Sequence, residues 1–413
     1  MKRVLVYTGG YRLDFPDRDI PLVEDLRQRG LDVTYCIGGP HIGNPGHPRE
    51  LALDERFERV QTRWIDSYLD VVKIAATSDV VVTGITSKSN TSIIAIANEL
   101  GVATVQHDNT AGLAVRYHGA DWVCVRSEFF VRERLRREQL PRERMVVTGS
   151  THLDCVQQPK VKQASREEFC DKYGLDPAKR IAVWLPSAPQ VQDEWNQQKY
   201  IEICETIRDS GNHSLVIKAH PNDYMKRKSE GYFDGQHTWD ALTPWAKVIE
   251  PEDAYICYKA CDVGLSTHSS VSMEFPLFHK PFIYVNADED PMLSVHRHMT
   301  VDWFDGVGVP SLIGHYCKVE ELAEVLAEEK YQVSDPVRYE EHIAEYSYKN
   351  DGLAFKRIAD VVERVAEESP SGGRAMRWAK GGIWLTKYGA ILGRQGLSNP
   401  KRVLSKVGLS HVF

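Results

Sequence analysis

Apolar residues in the first part of the chain come in short runs separated by amphipathic stretches. Arg3–Tyr7 is an apolar run ending at Gly9-Gly10, and Asp32–Ile37 is rich in β-formers. Asp79–Thr83 is a continuous β-branched run closed by Gly84, the pattern of a strand buried on both faces. Ile20–Gly30, Asp70–Ser78 and Ser89–Leu100 read as helices, the first ending in glycine and the last stopped by Gly101. Val102–Gln106, Trp122–Arg126 and Val146–Thr148 predict further strands. Strands alternating with helices predict a parallel α/β sheet with crossover helices.

The rhythm breaks at Cys155–Ser165, a polar stretch without periodicity that reads as an interdomain linker. It then restarts. Helices are predicted over Arg166–Tyr173, Asn196–Ser210, Ala254–Ala260, Ser270–Leu277, Val319–Lys330 and Glu340–Glu367. Strands are predicted over Arg180–Leu185, Ser214–Lys218, Asp262–Ser266 and Pro281–Val285. The expectation is two α/β domains, residues 1–157 and 166–340, with a cleft between them, then a helix over 341–370 and a tail over 371–413. In open α/β sheets, ligands bind beyond the carboxyl ends of the strands.

The 413 residues are 42% hydrophobic and 26% charged, which excludes a collagen, a disordered tail protein and a disulfide scaffold. No apolar run approaches the roughly 18 residues of a membrane span. The opening residues read as a strand and not as a signal peptide, so a cytoplasmic protein is expected. The 8 cysteines form no C-x-x-C pair, and Cys257 and Cys261 have no matching partners nearby, so buried free thiols are expected, not zinc. His296 and His298 lack a third ligand, and no metal is expected. The net charge is −7, but Ser371–Phe413 holds eight Lys/Arg and no Asp/Glu, leaving −15 on residues 1–370. An acidic body argues against nucleic-acid binding.

Two segments carry candidate chemistry. In the first, Asp262–Ser266 runs into Thr267-His268-Ser269-Ser270, and a helix is predicted to start near Val271. Hydroxyls and free N–H groups at a helix start suit a phosphate or diphosphate, and Glu274 one turn on suits ribose hydroxyls. The same residues read equally as an ordinary N-cap at Ser269 or Ser270 with Glu274 as dipole partner. In the second, Leu215–Asp223, a strand delivers Lys218 and His220 to its carboxyl end. Residues two apart on a strand share a face, so the pair suits an anion, or is a solvated strand end.

The K-x-H-P order at Lys218–Pro221, the Ser269-Ser270 pair, Glu274 and the Lys280-Pro281 strand together resemble the CDP-glycerol glycerophosphotransferase family. Lys172–Pro186 resembles that family's entry into its second domain. Val147–Asp154 is similar to the end of its first domain, a segment also found in UDP-N-acetylglucosamine 2-epimerases. The resemblance covers roughly Val102–Val285. It implies a GT-B fold of two Rossmann-like domains, the donor nucleotide held mainly by the second, and no metal or other cofactor for chemistry. It makes His220, Ser269, Ser270 and Glu274 donor-site residues. Thr267-His268 stands where the family commonly has Asp-Tyr, so His268 replaces a role or meets a different base. His107, in Val105–Thr110, takes the position of the family's candidate base, with Asp108 where the family has Gly. An imidazole with a pKa near about 6.5 suits proton abstraction, and Asp108 either orients it or binds acceptor; a strand-end histidine of purely structural role stays open. Gly9 and Gly10 either permit close approach of acceptor or form a plain turn, and Arg12 and Asp14, with Asp17, Arg18 and Asp19, form a polar loop at the same mouth.

The expected function is transfer of a glycerophosphate, polyol phosphate or sugar from a nucleotide-activated donor to a hydroxyl of a glycan or lipid-linked acceptor in envelope polysaccharide biosynthesis. An isomerase of the 2-epimerase kind and a non-catalytic glycan-binding protein are the alternatives. Basic residues at 374–406, mixed with Trp378, Trp384 and Tyr388, suit an anionic membrane surface at the inner face of the plasma membrane, a tail docked on the acidic body, or a disordered tail.

Overall fold

Every strand pairing in the computed structural model is parallel among the described residues, which are 1–9, 15–38, 58–65, 67–84, 88–108, 119–132, 141–186, 194–219, 243–267, 269–286, 314–333 and 335–369. The tail from 370 onward lies outside them. The chain divides into two units. One is Met1–Cys155 together with the chain from Glu345, and the other is Val156–Ala344.

The first unit holds β1 (Arg3–Thr8), β2 (Asp32–Gly38), β3 (Arg63–Ile65), β4 (Val80–Gly84), β5 (Ala103–His107), β6 (Trp122–Val125) and β7 (Met145–Val147), in the order β3-β2-β1-β4-β5-β6-β7. Side chains alternate across the sheet. Val4, Val6, Val80 and Val82 pack with the helix Phe15–Gln28 and with Ile358, Val362 and Val365 of the helix Ala354–Glu368. Leu5, Tyr7 and Val81 face the opposite way, onto the helices Tyr68–Thr77 and Lys88–Leu100. The result is helix, sheet, helix.

The second unit repeats the plan with β8 (Arg180–Trp184), β9 (His213–Ile217), β10 (Lys247–Val248), β11 (Val263–Ser266), β12 (Phe282–Asn286) and β13 (Gly314–Lys318), in the order β10-β9-β8-β11-β12-β13. Counted within each unit, the first six strands share one order, 3-2-1-4-5-6, the Rossmann arrangement with its switch point between the first and fourth strands. Gly264 is required by packing: a Cβ there would stand 2.4 Å from the Phe275 ring.

Four expectations change. The polar stretch after Cys155 is helical, with a 3₁₀ turn over Cys155–Gln157 and a helix over Pro159–Gln163, where Pro159 opens the helix without needing its missing N–H. The helix expected over Ser270–Leu277 is two successive 3₁₀ turns, Ser270–Met273 and Phe275–Phe278, because Pro276 has no N–H to continue an α ladder. The single helix expected over Glu340–Glu367 is two, Pro336–Ser347 and Ala354–Glu368, parted around Gly352 at φ 73°. The helix expected from Ile20 starts at Phe15, with Pro16 in its first turn, so Arg18 and Asp19 are helical and buried instead of lying in a loop.

Among the described residues no helix is long and apolar enough to cross a membrane. All eight cysteines are buried and free. Burial pushes the thiols of Cys36, Cys124, Cys261 and Cys317 up to about 12.

Candidate active site

At the carboxyl end of the first sheet, β5 delivers His107 at its last position, 1% exposed. Its Nδ1 has no hydrogen-bond partner among the described residues. Burial holds the imidazole pKa below 6.5, against the opposing pull of the Asp19 and Asp108 charges and a backbone hydrogen bond at Asp108. His107 is therefore neutral near pH 7 and able to take a proton.

Asp108 follows, with its N–H donating to the Cys124 carbonyl at 3.0 Å, so the ladder carries one residue beyond the strand. Arg126, directly after β6 and fully buried, donates from Nη2 to Asp108 Oδ1 at 3.0 Å. Its Nη1 bonds the Tyr346 hydroxyl, and its guanidinium lies 4.8 Å from the centre of the Phe130 ring and 4.9 Å from that of Tyr346. Ser150 Oγ donates to the Asp108 carbonyl at 3.0 Å. Asp108 is thus anchored by a buried ion pair, which stabilises little by itself but is costly to break on one side.

The first helix places Asp19, 1% exposed, beside the end of β1. Thr8 Oγ1 donates to Asp19 Oδ2 at 2.5 Å, and the Tyr35 hydroxyl donates to the same oxygen at 3.0 Å. Gly9 is buried at this mouth; Gly10, Arg12 and Asp14 lie outside the described residues.

Asp154, in the segment Val147–Asp154, has a structural task. Its two carboxylate oxygens accept from the N–H groups of Ala354 and Phe355 at 3.0 and 2.9 Å, capping the helix that returns to this unit. Burial pushes its pKa up to about 6 despite those bonds.

In the second sheet, Ser266 Oγ donates to the Leu185 carbonyl at 2.7 Å, tying the ends of β8 and β11 at the switch point. Thr267 is half-buried, and His268 lies outside the described residues. Ser269 Oγ accepts from the Val271 N–H at 3.2 Å, so it caps the 3₁₀ turn. The Ser270 backbone belongs to that turn, while its side chain is outside the described set. Such a short turn has no helix dipole to offer a phosphate. Within the turn, Ser272 Oγ donates to the Ser269 carbonyl at 2.6 Å and the Glu274 N–H to the Val271 carbonyl at 2.8 Å, and Glu274 itself is 3% exposed. Burial, and secondarily the Glu274 charge, holds the Tyr258 phenol well above 10. Strand β9 stops at Ile217; Lys218 is half-buried one residue on, its N–H donating to the Trp184 carbonyl at 3.0 Å. His220 lies outside the described residues. Among those described, no group of three or more His, Cys, Asp or Glu is placed to hold a metal.

The structure brings together His107, Asp108 and, from beyond sequence reasoning, Arg126, Ser150 and Tyr346. Arg126 carried one signal: an arginine closing the apolar run Trp122–Val125 needs a buried partner. Asp19 was visible only as one charge among several.

No protein-family model matches the chain, and no curated protein matches it in sequence. Solved structures do resemble it. MnaA of S. aureus, a co-structure with UDP, has a TM-score of 0.57 at 16% identity, over 90% of this chain and 99% of that one. UDP-GlcNAc 2-epimerase from Neisseria meningitidis, bound to UDP-GlcNAc, gives 0.56 at 15%, over 88% and 100%. The wall teichoic acid polymerase TagF with CDPG gives 0.56 at 13%, over 89% of each. At such identities the likeness speaks for the fold: two Rossmann-like units in series, over nearly the whole of each neighbour, the GT-B-type architecture.

Proposed function

We propose that the protein is a transferase that moves a glycerophosphate, polyol phosphate or sugar from a nucleotide-activated donor to a hydroxyl of an envelope-glycan or lipid-linked acceptor. The observation that carries this reading is the buried, neutral His107 with an open nitrogen at the carboxyl end of the first sheet. The acceptor hydroxyl gives its proton to His107 as its oxygen attacks the donor. The bond to the nucleotide phosphate breaks, and its electron pair leaves on that phosphate. Asp108, held by Arg126, positions the histidine's end of the strand. Gly9, Gly10, Arg12 and Asp14 supply the acceptor mouth. Lys218 and His220 neutralise the departing phosphates. Thr267, His268, Ser269, Ser270 and Glu274 hold the nucleotide, Glu274 through the ribose hydroxyls. The basic tail, residues 374–406, is assigned to an anionic membrane surface.

Calorimetry with CMP, CDP, UMP and UDP tests the donor half. One cytidine or uridine nucleotide should bind selectively, and Glu274→Gln should weaken it by about tenfold, or 1.4 kcal/mol. Absence of binding by all four, or an unchanged affinity in the variant, would reject the donor assignment. Incubation with UDP-N-acetylglucosamine in deuterated water separates the isomerase: deuterium entering the sugar without an acceptor would replace transfer by epimerisation.

A further inference from the structure

We infer that Asp19 and His107 form a subsite for a neutral, hydroxyl-rich group, a pair of polyol or sugar hydroxyls, at the first sheet's carboxyl end. This rests on the acceptor reading above and names the chemistry taken there.

Strand register sets the frame. Tyr7 lies opposite Thr83, and Gly84 opposite His107, so Thr8, Gly84 and His107 form one row across β1, β4 and β5. Neighbouring strands are about 4.8 Å apart, which puts the backbones of Thr8 and His107 about 10 Å apart. Asp19 is bound to Thr8 at one end of this row. Its Oδ2 already accepts two hydroxyls, whereas its Oδ1 has no partner among the described residues. At the other end, Nδ1 of His107 is in the same condition. Ser127 Oγ and Thr151 Oγ1, which follow β6 and β7, are also buried without a partner among the described residues. Buried polar atoms nearly always find partners, so four such atoms beyond the ends of one sheet call for a bound molecule.

The donor–acceptor inventory selects its class. A carboxylate only accepts, and a neutral imidazole accepts at one nitrogen. Both ask for hydrogen-bond donors. Vicinal hydroxyls supply them, whereas a phosphate dianion offers only acceptors and is repelled by Asp19, whose negative charge no ion pair among the described residues cancels as Arg126 cancels that of Asp108. One hydroxyl bonds Asp19 Oδ1, and its neighbour gives its proton to His107 Nδ1 as its oxygen attacks. The imidazolium so formed sits in the field of Asp19, which favours it.

The test uses the full chain labelled at histidine, with the His107 resonance assigned through His107→Gln. Glycerol is titrated as the neutral polyol and inorganic phosphate as the anion. Glycerol should shift the His107 resonance and phosphate should not. Asp19→Asn should weaken the glycerol response at least tenfold and lower the pH midpoint of His107. A phosphate response as strong as that of glycerol, no glycerol response, or one unchanged in Asp19→Asn would overturn the subsite. If Asp19→Asn does not fold, the glycerol-against-phosphate comparison in the wild type decides alone. Nucleotide calorimetry keeps the two readings apart. Loss of nucleotide binding with an intact glycerol response sinks only the donor assignment; the reverse sinks only this one.

Discussion

At the carboxyl end of the first sheet sit a buried imidazole, two buried carboxylates and a buried guanidinium: His107, Asp19, Asp108 and Arg126. At the corresponding end of the second sit the hydroxyls of Ser266 and Ser269, a half-buried Lys218 and the buried Glu274. The strand order of the two sheets is the same over six strands. Topology therefore decides where a ligand meets the chain, and the residues just beyond each strand decide what is done with it. Under the function proposed above, the first end takes the proton and the second holds the nucleotide.

That division can be broken by experiment. His107→Gln should lower transfer by about 10²–10⁴-fold while nucleotide affinity stays near wild type. The wild-type rate should rise with pH along a limb whose midpoint lies below 6.5, since burial depresses the imidazole, and the variant should lack that limb. A variant with normal turnover would remove the chemistry from the first sheet. Arg126→Met takes the guanidinium away from the buried Asp108 carboxylate, and should cost about 3–5 kcal/mol in denaturant unfolding. Asp108→Asn combined with it should recover part of that loss; a double variant no better than the single one would mean that the pair is not coupled.

Gly264→Ala drives a methyl group into the Phe275 ring behind the second sheet. A loss of about 1–3 kcal/mol is expected, with nucleotide binding weakened because Phe275 directly follows Glu274. Unaltered stability would show that the ring has room to move. The smallest effect is on the first unit's helix cap. Asp154 has a folded pKa of about 6, above its ordinary 3.8. The folded state therefore binds this proton more tightly, and the carboxyl's contribution is complete below about pH 4 and lost as pH rises through 6. Asp154→Asn should flatten this dependence, by on the order of 1 kcal/mol between pH 4 and 7 in urea midpoints. An unchanged slope would place the proton elsewhere.

Much of the fold was legible in the sequence, for physical reasons that differ by element. Asp79–Thr83 announces a buried strand because β-branched residues suit a position covered on both faces, and it forms β4. Strands β3, β10 and β13 were missed: Arg63–Ile65 has three residues, Lys247–Val248 has two, and Gly314–Lys318 has no apolar run. All three are edge strands, where one flank needs no burial. The turn at Ser269 was legible as a cap but not as 3₁₀, because the choice rests on the later Pro276. That His107 stands at the carboxyl end of a strand was legible from the apolar run before it. The Arg126–Asp108 pair was not, because its residues are 18 positions apart and meet only when β5 and β6 align.

The cap at Asp154 also sets a timetable. The N–H groups it receives belong to a residue 200 positions later and its neighbour, so during synthesis the first sheet is made long before its covering helix. Until Ala354–Glu368 emerges, the apolar face that meets Ile358, Val362 and Val365 has no lid of its own. The second unit, continuous in sequence, can finish folding while the first still waits. A nascent chain halted before residue 345 would thus carry one completed unit and one with an open, aggregation-prone flank. Refolding of the whole chain should end with closure of that long loop, the slowest of its entropic steps.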